Sequence, residues 1–177
     1  MNQLLFKWEV SGILIIFFWG AIIHEAYKLT GYNKIIALFA PVNESVWEHL
    51  KMGSTAVLIF SLIEYFFISD TANNFLLGKT FCLYLVPIFI ALLHYSYKLI
   101  LGKHLLILDL LIFLIATTIG QAVSFYILNK SQHYLTLNRF ALLALMLEIA
   151  IFIYFTFNPP KMPIFRDGPT GRYGPVL

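Results

Sequence analysis

The densest polar stretch of the chain is Pro41-Val42-Asn43-Glu44-Ser45-Val46-Trp47-Glu48-His49-Leu50-Lys51. Carboxylate and imidazole both suit zinc. A bound zinc lowers the pKa of its water towards neutrality. The chemistry this stretch offers is therefore hydrolysis by a metal-activated water, with His49 as a ligand and Glu48 or Glu44 as the base. If the stretch is helical, Glu44 and Glu48 share one face at i, i+4, and Ser45 and His49 share the next. A structural reading competes: Ser45 and Glu48 have the S-x-x-E spacing of a capping box. There is no H-E-x-x-H, no H-x-x-x-H and no cysteine set.

Other residues of the right type lie elsewhere. His24 precedes Glu25, His94 stands alone, and His104 precedes Asp109 by five positions. His24, His94 and Asp109 are the further candidate metal ligands. Taken singly, each is equally a hydrogen-bonded packing residue.

The elements that must position them are set by long apolar blocks. Of 177 residues, 60% are hydrophobic and 12% charged. A soluble domain carries about 25% charged residues. Each block approaches the ~20 residues that cross the hydrocarbon core as a helix. Lipid gives the backbone no hydrogen-bond partners, so the blocks must be helical. They lack the alternation of barrel strands. The expected fold is an all-α transmembrane bundle of about five helices, near Leu4–Tyr27, Ser45–Ile68, Phe75–Ile100, His104–Leu128 and Leu137–Phe157. The transmembrane domain is expected over residues 1–158. Residues 159–177 form a basic tail rich in Pro and Gly, expected to be ordered, non-helical and laid against the helix ends. Pro87 should free the carbonyl of Leu83. Gln121, Thr117, Gly120 and Ser124 mark a close helix contact.

Depth follows from the helix rise. The end of helix one, the start of helix two, the end of helix three and the start of helix four share one side. Four of the five histidines, His24, His49, His94 and His104, fall in that leaflet, with Glu25, Glu44, Glu48 and Asp109. Glu64 lies about 22 Å further along helix two than His49, in another layer. Glu64, Asp109 and Glu148 sit within apolar blocks, and no basic residue is expected beside them in the membrane. Carboxylates so placed must be protonated, face a wet cavity or hold a cation. The same side receives Lys28, Lys34, Lys51, Lys98, Lys103, Lys161, Arg166 and Arg172, against Lys7, Lys79, Lys130 and Arg139 opposite. The positive-inside rule puts the tail in the cytoplasm and the N-terminus outside.

Three functions fit these residues. The first is a metal-dependent intramembrane hydrolase, using zinc on a lipid-like or prenyl-type substrate. The second is a cation- or proton-coupled transporter using the same acids without chemistry. The third is a non-catalytic accessory protein whose polar groups only lock helices together. The scattered basic residues do not suggest nucleic-acid binding; membrane lipids are the expected surroundings.

The stretch Asn43-Glu44-Ser45-Val46-Trp47-Glu48-His49-Leu50-Lys51, after Ala40-Pro41-Val42, resembles the signature of an uncharacterised bacterial family of small multi-pass membrane proteins. The tail Pro159-Pro160-Lys161-Met162-Pro163-Ile164-Phe165-Arg166-Asp167-Gly168-Pro169-Thr170-Gly171-Arg172-Tyr173-Gly174 resembles that family's ending. The resemblance covers essentially the whole chain and implies a bacterial plasma-membrane location, with no activity attached. Ser45-x-x-x-His49 is also faintly similar to the superfamily of membrane metallohydrolases that includes the alkaline ceramidases. The later His-x-x-x-His pair and the seven helices of that superfamily are missing here.

Overall fold

The structure is a computed structural model that describes residues 2–175; the last two residues of the tail lie outside them. Five α-helices carry the fold: α1 (Gln3–Leu29), α2 (Val46–Ile68), α3 (Phe75–Leu101), α4 (Leu106–Leu128) and α5 (Leu135–Phe157). All five are long and apolar enough to cross a membrane. Among the described residues no strand forms; a single antiparallel bridge joins Arg166 and Tyr173 in the tail.

Large apolar side chains cover the outside as well as the core. Leu14, Phe18 and Ile22 form an exposed stripe at four-residue spacing along α1, and Phe66 of α2 and Leu99 of α3 stand almost fully exposed. Such a surface suits hydrocarbon rather than water. The core joins Ile16 of α1, Phe60 of α2, Val86 of α3 and Phe113 of α4. Helices α1 to α4 pack around it, and α5 lies against α3. The α3–α4 pair is held close by Gly120, where a Cβ would stand 2.8 Å from Cys82 Sγ. Gln121 and Ser124 are buried at the same contact.

Helix ends follow local chemistry. Asn2 caps α1 by accepting from the N–H groups of Leu4 and Leu5. Ser45 caps α2 by accepting from Glu48 N–H at 3.4 Å. The reciprocal half of a capping box is absent, because Ser45 N–H donates to Asn43 Oδ1 and the Glu48 side chain turns elsewhere. Helix α3 ends at Gly102, whose φ of 69° suits a residue without Cβ. It runs through Pro87, and the hydroxyl of Ser54 reaches the freed Leu83 carbonyl at 3.4 Å.

The tail folds back on the start of α2. Phe165 is buried against Trp47, with ring centroids 4.7 Å apart. Asn43 Nδ2 donates to Gly174 O, and Asp167 Oδ1 accepts from Glu44 N–H, both at 2.8 Å. A short 3-10 turn, Pro163–Phe165, is the tail's regular element. The tail thus clamps the turn that presents Glu44. Arg166 donates to Gly171 O within the tail.

The sequence led us to expect membrane acids without basic partners, and the structure corrects this for Glu64. Lys79 of α3 is buried between Glu9 of α1, at 2.7 Å, and Glu64 of α2, at 2.5 Å. Lys51 is buried against Glu48 at 2.6 Å. Counting charges along the chain places Lys79 near a helix start, where a lysine ordinarily snorkels to water. Here it turns inward instead. The cue was depth: Lys79 stands four residues inside α3 and Glu64 four residues before the end of α2, each about 6 Å from its helix end.

Candidate functional site

At the tail end of the bundle three side chains converge. His24 comes from the penultimate turn of α1, Glu44 from the turn before α2, and His49 from the first turn of α2. One ligand atom from each lies within 4.8 Å of the other two. Glu44 Oε2 is 3.3 Å from His24 Nε2 and 3.6 Å from His49 Nε2.

Local structure explains why Glu44 joins and Glu48 does not. Helix α2 begins after its cap, Ser45, so Glu44 has left the helix and the i, i+4 face expected for Glu44 and Glu48 does not exist. Glu48 is on the helix one residue before His49, about 100° around the axis. It points inward, accepting from Val42 N–H at 3.1 Å and pairing with Lys51. Thr156 of α5 reaches its other oxygen at 3.3 Å.

Both histidines are oriented from behind. His49 Nδ1 is 2.8 Å from the carbonyl of Ser45, which can only accept, so Nδ1 carries the hydrogen. In the neutral form of the ring Nε2 then carries the lone pair, on the side of Glu44. His24 Nδ1 is 2.7 Å from Glu25 Oε1. A carboxylate or backbone carbonyl behind a ring nitrogen is the usual support of a metal-binding histidine. For zinc at ~2.0–2.1 Å from each donor, tetrahedral geometry separates the donors by about 3.4 Å. The two distances from Glu44 Oε2 lie on either side of that value.

Neighbouring side chains balance the charge of the cluster. Lys28 Nζ donates to Glu44 Oε1 at 3.2 Å. The His24 imidazolium can donate to Glu25 and Glu44 together. Glu44 stands outside the spanning helices, and its carboxyl is held down to about 2 by the hydrogen bond from His24, against burial, with help from Lys28. Asp167, beneath the same turn, is pushed up by burial but held below its ordinary value by Thr170 and by Glu44 N–H.

The ordinary carboxyl value is 4.5 and the folded value at Glu44 is lower. The Glu44 contribution is therefore complete above the ordinary value and is lost as pH falls towards about 2. Carbon-13 NMR of labelled glutamate carboxyls should show one resonance, absent in Glu44→Gln, that titrates well below the exposed glutamates. Titration of that resonance together with the exposed ones would mean the cluster is not formed.

A second group lies beside the first. Asp109, in the first turn of α4, takes His94 Nδ1 at 2.8 Å and the Tyr97 hydroxyl at 2.7 Å on Oδ1, with His104 Nδ1 3.5 Å from Oδ2. It staples the α3–α4 turn. Of the residues singled out in the sequence, the structure thus joins His24, Glu44 and His49, pairs His94 with Asp109, and commits Glu48 to Lys51. Sequence reasoning missed the supporting groups: Glu25 and the Ser45 carbonyl behind the rings, and Lys28 on Glu44. The i, i+4 spacing from Ser45 to His49 was the available signal for one of them.

Fold and site together define a multi-pass integral membrane protein carrying a Glu/His cluster at one end of its helices. The chain belongs to the Family of unknown function (DUF6512), whose model matches residues 1–175. No curated protein and no solved structure matches it.

Proposed function

We propose that His24, Glu44 and His49 bind zinc, and that the protein is a metal-dependent hydrolase of a lipid-like substrate at the membrane surface. One observation carries this reading: two Nε2 atoms converge on one Glu44 oxygen at tetrahedral-edge spacing, with both Nδ1 atoms engaged from behind. Two histidines and a glutamate leave a fourth position for water, as in catalytic zinc sites. A bound zinc supplies an acidified water as nucleophile. Asp109, held by His94 and Tyr97 on the neighbouring α4 turn, would be the carboxylate that takes up and returns a proton. Glu48, fixed by Lys51 and Val42, takes no part in the chemistry on this reading. The position at the helix ends favours a substrate whose cleavable bond lies at the headgroup level. The excess of basic residues on this side supports placing it in the cytoplasm, and the motif resemblance supports a bacterial plasma membrane.

Metal analysis of the purified protein tests the first half. Zinc near one per chain is expected, lost in His24→Ala and His49→Ala and kept in His94→Ala. Metal should displace the proton shared by His24 and Glu44, so zinc affinity should fall as pH drops. Wild-type protein that takes up no added zinc, or His49→Ala with full occupancy, would sink the site. Assays on ester, amide and phosphoester lipids, with and without chelator, test the second half. Zinc bound without turnover on any of them would leave the metal site and remove the hydrolase.

A further inference from the structure

A buried carboxyl in the middle of the chain's membrane region is not used by the metal site. Glu148 of α5 is 6% exposed. Its Oε1 lies 3.0 Å from Ser54 Oγ of α2, and its Oε2 is buried without a protein partner. Beside it is a cavity of about 20 Å³, lined also by Ser54, Leu83 and Lys51. That volume admits one water molecule.

The hydrogens can be counted. Ser54 has one hydroxyl hydrogen and two contacts, Glu148 Oε1 and the Leu83 carbonyl. In an unbroken helix Leu83 O would accept from the N–H four residues on. That residue is Pro87, which has none. If Ser54 donates to Glu148, the Leu83 carbonyl receives nothing from it. If Ser54 donates to Leu83, the contact to Glu148 is a hydrogen bond only when Glu148 supplies the hydrogen. Among these three groups both contacts are satisfied together in one arrangement, with Glu148 protonated and donating to Ser54 Oγ.

The surrounding charges do not offer an alternative. From α2, Lys51 lines the cavity, but its three hydrogens are taken by Glu48 at 2.6 Å and by Ala37 O and Thr156 Oγ1 at 2.8 Å. From α3, Tyr84 donates to Ala144 O, and Cys82 is a buried thiol within Coulombic reach. The segment over α5 on the far side contributes Leu38 and Phe39, which are uncharged.

We propose that Glu148, Ser54 and the Leu83 carbonyl form a proton-binding site inside the membrane, with the adjoining cavity holding the water that exchanges the proton. The site is independent of the metal centre and needs no zinc. Its chemistry is that of a proton-coupled step rather than of hydrolysis.

Infrared spectroscopy of the reconstituted protein tests it. The wild type should show the carbonyl stretch of an un-ionised carboxylic acid at neutral pH, shifted down in D₂O. Glu148→Gln, nearly isosteric, should lack that band. Ser54→Ala should keep it but move it to higher frequency, because the acid loses its acceptor. No such band at neutral pH, or a band identical in all three proteins, would overturn the proposal and leave Glu148 ionised and served by Lys51 through water. Should Glu148→Gln not fold, the Ser54→Ala shift alone decides: a moved band supports the site and an unmoved one rejects it.

Discussion

Replacing Lys79 by methionine should destabilise the folded protein by about 3–5 kcal/mol, as expected when one partner of a buried ion pair is removed. Lys79 is 1% exposed and is the one cation between Glu9 and Glu64 among the described residues. Glu9 Oε1 also accepts from Ser124 at 2.8 Å, so the group ties α1, α2, α3 and α4 together. Without the ammonium, two buried carboxyls lose their shared counter-charge. Unfolding in mixed micelles with rising SDS should show the loss as an early transition. Removing the whole group, by Glu9→Gln and Glu64→Gln with Lys79→Met, should recover most of the stability, since replacing a complete buried network is often neutral. A Lys79→Met protein that unfolds with the wild type would show that the triad is not formed.

Glu48→Ala should cost a similar amount, about 3–5 kcal/mol, for the same reason. It strands Lys51 in the interior without its carboxylate and frees the Val42 N–H. It should also weaken zinc binding, because the Val42 contact fixes the turn that delivers Glu44. Glu44→Ala gives the contrast. Its carboxylate is a third exposed and pairs at the surface, so its loss should change stability by less than about 1 kcal/mol while removing a metal ligand. If Glu44→Ala proves the more destabilising of the two, the division between a structural Glu48 and a ligating Glu44 fails.

The sequence alone determined the five helices and the level of each polar residue. Apolar blocks near the bilayer thickness admit only helices, and 1.5 Å per residue converts position into depth. That is why His24, His49, His94 and His104 could be assigned to one end, and Glu64 to another layer, without coordinates. Two features were beyond this reading. Which way a residue faces around its helix depends on where the helix begins, and the cap at Ser45 decided that Glu44 meets His49 while Glu48 meets Lys51. Which helices are neighbours depends on packing, and it brought Lys79 between Glu9 and Glu64 and set Glu148 against Ser54. Depth is a property of one chain segment and can be counted along it. Azimuth and neighbourhood belong to several segments at once, so only the tertiary structure could supply them.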